Sequence, residues 1–336
     1  MNQQAYQIIK DHLGPLRVFE NEPLSKHTYF KIGGPAKLYF EAKTTDDLVS
    51  AIKIAIQTKT PFVVLGSGAN VLVSDNGFNG LLIKNKSTKV ALVGLKGTYT
   101  KQGKGIKNAL ISASSGTLMN QLARFTLDQG LEGLEFLLSV PGTVGGGLKI
   151  NAHFKVEKNE FIGNRLVSAS LINPKNGQMT NVDQPYFDFS YDFSKIQKTG
   201  EIVLEAVFKL DVATSKESLW QKAMENVKRR NEEQPIGIPC SGCIFRNISP
   251  EDAIKLQTPN LTTSTGYIIE SLGLKGTKLG GAEISTHHSN FILNTNGAMA
   301  GDVLKLIKLI KEKAKNTYGL DLKEEIFRIG DFENSN

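Results

Sequence analysis

The chain has 336 residues, 40% hydrophobic and 22% charged, an ordinary composition for a soluble globular protein with room for two or three domains. No stretch approaches the roughly 20 apolar residues that span a bilayer, so membrane insertion is not expected, and two cysteines are too few for a disulfide scaffold. The net charge of +7 suits an anionic partner such as a nucleotide, but the basic residues are scattered and no nucleic-acid motif accompanies them, so nucleic acid is not expected.

The opening MNQQAYQIIKDHLG lacks the apolar run and cleavage site of a signal peptide, and the chain is read as cytoplasmic. Residues 5–13 predict a short helix, with Ile8, Ile9 and Leu13 on one face. TYFKIGGPAKLYFEA (28–42) alternates as strands around a Gly-Gly-Pro turn. Residues 44–59 predict a helix with Thr45 as N-cap and a Leu48, Ile52, Ile56 stripe. PFVVLG (61–66) and GLLIKN (80–85) read as strands, 86–115 as strand-rich, and 118–130 as a helix ended by Gly130. The glycine-rich VPGTVGGGLKINA (140–152) reads as a loop. Residues 165–182 have the alternation and Asn-Gly turn of a hairpin, and 201–212 form a long strand. Helices follow at 215–233, 266–273 and 300–319, with strands at 289–297 and 322–330. The order is α+β without regular βαβ alternation.

Cys240 and Cys243 are spaced C-x-x-C in IPCSGCIFRN (238–247). A redox pair of this spacing opens a helix, whereas here the residues run as a strand into a turn. A zinc site needs more ligands, and His287 and His288 of THHS, read as strand neighbours, would point to opposite faces. No metal is expected, and two small buried hydrophobes remain the plain alternative. LGSGANVLVSDNGFNG (65–80) places Gly66 and Gly68 after a strand, but Val71 stands where a Rossmann fingerprint needs a third glycine. Taken alone this loop reads first as a tight turn. A backbone nest for phosphate is the alternative, and the second loop, with Gly145, Gly146 and Gly147, strengthens it.

KHTYFKIGGPA, VVLGSGANVLVSDNGFNG, GLEFLLSVPGTVGG, SGCIFRN, LGLKGTKLGGAEISTHHSNFILN and LKEEIFRIG occur in that order. Together they resemble the UDP-N-acetylenolpyruvoylglucosamine reductase (MurB) family over residues 20–330, in its compact second structural type. The resemblance implies a vanillyl-alcohol-oxidase-type, two-part FAD-binding fold followed by an α+β substrate domain. It divides the chain into a helical extension (1–20), FAD-binding subdomains (21–85 and 86–213) and a substrate-binding domain (214–336). NADPH would reduce FAD, and the enolpyruvyl ether of a UDP-sugar would be reduced in peptidoglycan synthesis, by a chain acting as a monomer.

The resemblance implies FAD contacts at Gly66, Ser67, Gly68, Ala69 and Asn70, and at Pro141, Gly142, Thr143, Gly145 and Gly146. Cys243 falls where the family carries a serine proton donor. A thiol, with a reference pKa of about 8.5, is the stronger acid. Glu325 matches the family's catalytic glutamate, a role that asks for a raised pKa. Tyr191 and Asn247 match substrate contacts. The chain departs from the family at Asp192, where a catalytic arginine is expected, and in NAHFKVEKNEF (151–161), which replaces NAG-x-Y-G with an insertion. Lys149, Lys195 or Arg165 would then supply the missing charge beside Cys243 and Glu325, with Lys149 placed among the substrate contacts. The same resemblance leaves two other readings open: an oxidase of the same fold, and an FAD-binding paralogue with altered chemistry.

Overall fold

A computed structural model describes residues 3–100, 103–154 and 160–332, so residues 155–159 of the expected insertion lie outside the described residues. In chain order the elements begin α1 (Gln3–Leu13), β1 (Val18–Pro23), β2 (Pro35–Ala42), α2 (Thr45–Gln57), β3 (Phe62–Leu65), β4 (Val71–Val73) and β5 (Phe78–Asn85). They continue with β6 (Val90–Thr100), β7 (Gly103–Ser114), α3 (Met119–Asp128), β8 (Leu131–Glu132), α4 (Val144–Ile150), β9 (Leu166–Ile172) and β10 (Met179–Asp183). Next come α5 (Ile196–Thr199), β11 (Ile202–Val212), α6 (Lys216–Glu233), β12 (Cys240–Cys243), α7 (Pro250–Lys255) and α8 (Thr265–Ser271). The last are β13 (Lys278–Leu279), β14 (Ala282–Ile284), β15 (Phe291–Asn294), α9 (Ala300–Tyr318) and β16 (Phe327–Ile329).

Two compact units form. The first takes the chain up to Glu20, then Leu38–Ser67 and Gly80–Arg230. The second takes Asn21–Lys37, Gly68–Asn79 and the chain from Asn231 onward. The first unit is built on an antiparallel sheet of order β10-β9-β11-β7-β6. Its inward residues, among them Ala109, Ile111, Leu171 and Phe208, meet Leu122 of α3 and Leu148 of α4 in one core. A second core joins Ile9 and Leu13 of α1, Leu48 and Ile52 of α2, and Leu81 and Ile83 of β5. There β3 and β5 run parallel, Phe62 opposite Leu81 and Leu65 opposite Lys84. On α6, Leu219 and Ala223 pack with Leu127 of α3, and the chain's one tryptophan, Trp220, lies half-buried against them.

The second unit holds the sheet β12-β15-β14-β13 and a parallel pair of β4 with β16. The buried stripe of α9, Val303, Leu306, Ile307 and Ile310, joins Ile284 and Ile292 in its core, with Phe30 and Leu72. The Asp75 carboxylate accepts from the Ala300 amide at 2.8 Å and the Gly301 amide at 3.1 Å, supplying two of the partners a helix start lacks.

Four local expectations change. Thr44, not Thr45, caps α2, its hydroxyl accepting from the Asp47 amide at 3.0 Å. Residues 28–34 form no strand, because Thr28 closes a local turn: its hydroxyl donates to the Ile32 carbonyl and its own carbonyl accepts from Lys31. The glycine-rich 140–152 segment becomes helix α4 from Val144, started by Thr143 and ended by Asn151 in the left-handed region. Residues 286–289 are a turn rather than a strand, since the Ser285 hydroxyl accepts from the His287 and His288 amides. Among the described residues, no three His, Cys, Asp or Glu side chains converge as a metal site would require.

Within the first unit, Glu135 is 4% exposed, joins its segment to α6 by an ion pair with Lys222, and accepts from the Gly133 amide at 2.6 Å. Burial works to raise its pKa, but Lys222 and the backbone amides outweigh it and hold the carboxyl below its usual value. A depressed carboxylate stabilises the fold above its unfolded pKa, about 4.3, and that contribution is lost as pH falls through the lower folded value. Glu135→Gln should therefore cost about 1–3 kcal/mol at pH 7, less than a fully buried pair because Lys222 is half exposed. In urea titrations the gap from the parent should close below about pH 4. A gap independent of pH would show that the pair contributes no charge-dependent stability.

Candidate active site

The two glycine loops meet in the first unit. Gly66 ends β3 so close to the start of α4 that a Cβ there would lie 2.4 Å from Thr143 Oγ1. Gly145 packs on Ser115, its amide donating to the Ser115 carbonyl at 2.8 Å, while the Val144 amide donates to Thr117. Gly66, Thr143, Gly145, Gly146 and Lys149 line one cleft of about 630 Å³. Its wall also takes in Asn85 and Ser115, joined by a 2.8 Å hydrogen bond. Sequence reasoning passed over both; the available signal was a pair of polar residues closing apolar strands.

Charge in the cleft is basic. Lys59, Lys149 and Lys175 line it against Glu201, whose carboxylate is already held by the hydroxyls of Tyr186 and Thr199. Lys149 reaches solvent, yet burial around its stem pushes its ammonium pKa below the usual value. Beside the loop, the buried Thr117 hydroxyl has no hydrogen-bond partner among the described residues. A basic cleft walled by glycine backbone, with an unmet hydroxyl beside it, fits a ligand carrying a diphosphate.

Of the other expected FAD contacts, Pro141 and Gly142 lead into Thr143, and the Gly142 carbonyl accepts from Met119. Ser67 follows Gly66. The rest of the first loop, Gly68, Ala69 and Asn70, belongs to the second unit. Gly68 has φ +81°, and a Cβ on it would meet the His27 carbonyl at 2.4 Å, so only glycine fits. The loop's carbonyls turn into the protein, Gly68 accepting from Tyr29 and Asn70 from Phe327.

Asp192 is 2% exposed, at φ +50° in the turn Ser190–Phe193, with its carboxylate 3.6 Å from His153 Nδ1. Tyr191 lies beside it, its ring centroid 5.1 Å from that of His153. Of the three basic candidates, Lys195 stands over the Tyr186 ring at 4.1 Å and Arg165 pairs with Asp211 at 2.8 Å. Lys149 is the one that lines the cleft of the glycine loops.

In the second unit, β12 brings Cys240 opposite Leu293 and Cys243 opposite Phe291, and neither cysteine forms a disulfide. Past Cys243, the Ile244 carbonyl accepts from the Glu325 amide at 2.8 Å, and Phe245 bridges Glu324. Cys243 and Glu325 thus sit on adjoining backbone segments. The Asn70 side chain donates to the Glu325 carbonyl at 3.2 Å, so the end of the first glycine loop braces this segment. Asn247 accepts from the Thr265 amide at 3.3 Å, at the start of α8. Asn290, which sequence reasoning missed, binds Phe245 on both sides, donating to its carbonyl at 2.7 Å and accepting from its amide at 3.0 Å. Burial pushes the pKa of the neighbouring His288 down.

The fold is a two-part FAD-binding fold of vanillyl-alcohol-oxidase type. A family model described as "FAD binding domain" matches residues 36–183, and one described as "UDP-N-acetylenolpyruvoylglucosamine reductase, C-terminal domain" matches 234–329. A UDP-N-acetylenolpyruvoylglucosamine reductase 1 of Bacillus cereus is 36% identical over 331 residues, 98% of this chain and 100% of that one. The reductase of Synechococcus sp. strain RCC307 is 33% identical, across 95% of this chain and 96% of its own. Among solved structures, the Thermus caldophilus reductase superposes with a TM-score of 0.71 at 29% identity, covering 93% of this chain and 99% of that one. A VAO-type flavoprotein from Myceliophthora thermophila C1, 9% identical over 93% of this chain and 84% of its own, shares the fold alone at a TM-score of 0.54. The chain belongs to the UDP-N-acetylenolpyruvoylglucosamine reductase family.

The meeting of Gly66 with Thr143 leaves no room for a side chain. Gly66→Val should weaken FAD binding by about tenfold or more, a loss of roughly 1.4 kcal/mol. Flavin absorbance per chain after gel filtration measures it. Undiminished occupancy would show that the two loops need not approach this closely to hold the cofactor.

Proposed function

We propose that the chain reduces the enolpyruvyl ether of a UDP-N-acetylglucosamine derivative to UDP-N-acetylmuramate, for peptidoglycan synthesis. When bound, FAD reduced by NADPH would supply the hydride for addition to the vinyl carbon. Gly66, Gly145 and Gly146 line the cleft and would let the cofactor approach the backbone closely. Addition leaves negative charge next to the substrate carboxylate, and the chain's own residues must stabilise that charge and deliver a proton to carbon.

Cys243 is the proton donor on this reading, and Glu325 helps to polarise or protonate the substrate carboxylate. The observation that carries it is the bond from the Glu325 amide to the Ile244 carbonyl, which sets the two on adjoining backbone segments. Lys149 is proposed as the compensating cation for a chain with Asp192 at the arginine position, supported by its place in the basic cleft. Tyr191 and Asn247 are proposed as contacts to the UDP-sugar. No described helix is long and apolar enough to cross a membrane. On this reading the chain works in the cytoplasm as a monomer, without nucleic acid.

Single-turnover mixing of NADPH-reduced protein with the enolpyruvyl UDP-sugar tests the assignment. Cys243→Ala should slow flavin reoxidation by the substrate about 10²–10⁴-fold while reduction by NADPH persists, and Cys243→Ser should remain active. Cys240→Ala should be close to silent. A parent protein that binds FAD but is not reoxidised by this substrate would remove the reading. Equal losses from Cys240→Ala and Cys243→Ala would remove Cys243 as the donor.

A further inference from the structure

His153 has no part in the chemistry above, yet four observations gather around it. First, Asp192 is 2% exposed and holds φ +50°, a backbone conformation that costs a non-glycine residue energy, although aspartate tolerates it better than most. A buried carboxylate in such a place must be offset by its neighbours. His153 lies beside it, its Nδ1 3.6 Å from Oδ1 and so just beyond hydrogen-bond reach.

Second, the imidazole is held between two aromatic rings, Tyr191 and Phe161, each with its centroid 5.1 Å away. Burial pushes the His153 pKa down and Asp192 only partly offsets this, so the neutral ring is the form that packs there at neutral pH.

Third, the backbone of the turn is already stitched to the end of α4. Asn151 donates to the Ser190 carbonyl at 3.1 Å and Ser194 to the Lys149 carbonyl at 2.6 Å. Gln197 reaches the carbonyls of both Lys149 and Asp192. These bonds fix the main chain, and the Tyr191 ring rests against the His153 imidazole. Fourth, α4 begins at the cofactor cleft with Thr143 and carries His153 just past its other end. A ring held by His153 is therefore held in register with that cleft.

We propose that His153 is a positioning residue for substrate, its contacts with Asp192 and Tyr191 fixing the side chain that meets the UDP-sugar. The inference rests on the reading that Tyr191 contacts that substrate.

Steady-state kinetics on the FAD-loaded protein test it through a double-mutant cycle. Both His153→Ala and Tyr191→Phe should raise KM for the enolpyruvyl UDP-sugar about tenfold, with a much smaller change in kcat. The double variant should be scarcely worse than either alone, because the two side chains act as one unit. FAD content, read by absorbance, should stay at the parent level. If His153→Ala does not fold because Asp192 is left buried beside an empty space, His153→Ala with Asp192→Asn removes that charge and should show the same rise in KM. An unchanged KM, additive effects, or equal losses in KM and kcat would overturn the proposal. If the parent protein itself does not turn over this substrate, the proposed function fails and the proposal with it. A parent that turns over normally beside an unaffected His153→Ala overturns the positioning role alone.

Discussion

Asn290 is the constraint on which the chemistry-bearing half of the second unit depends. Its side chain offers Phe245 one donor and one acceptor, as a neighbouring strand would, and its own carbonyl takes the Ile244 amide at 2.8 Å. β12 ends at Cys243, so without this substitute the next two residues would leave the sheet with buried amides unmet. With it, the chain stays extended long enough for the Ile244 carbonyl to accept from the Glu325 amide and for the Arg246 amide to donate to the Lys323 carbonyl. Asn290 is 2% exposed, so no water competes for these bonds. The two proposed catalytic groups, Cys243 and Glu325, owe their neighbourhood to one amide.

The first unit solves a different problem with a seven-residue helix. Three successive glycines at 145–147 are poor helix formers, and α4 exists because its surroundings supply what its sequence lacks. Ser115 and Thr117 accept the amides of Gly145 and Val144 at its start, and Leu148 is fully buried under it. Small residues let its first turn lie against β3 and β7, while larger ones past Asn151 engage the turn that carries Tyr191. One short element thus sets both the width of the cofactor cleft and the base of a proposed substrate contact.

Much of this architecture is legible in the sequence, for a physical reason. α3, α6 and α9 have apolar residues at helical spacing, and β11 alternates, so local pattern and tertiary burial agree. α4 was not legible, because composition argued against a helix that tertiary bonds impose. Thr44 and Thr45 are chemically equal caps, and only the exit of the chain from β2 decides between them. Cys243 and Glu325 came forward through the order of motifs and not through local chemistry, since either alone reads as an ordinary strand residue. Asn290, Asp75 and His153 stayed hidden because each meets partners distant in sequence: Asn290 and Phe245 are separated by 45 positions, and Asp75 and Ala300 by 225. Such pairings exist only once the fold does.

Trp220 gives the first unit an optical property of its own. It is the chain's single indole, half-buried where α6 lies on Leu127 and Leu138, two residues from the lysine that pairs with Glu135. Its ultraviolet emission therefore reports one place, the seam between α6 and the segment that precedes the second glycine loop. Detachment of α6 would move that emission to the red, while emission quenched by a bound isoalloxazine would recover on its release. Local loosening and cofactor loss would thus be told apart by wavelength and intensity in an unlabelled sample.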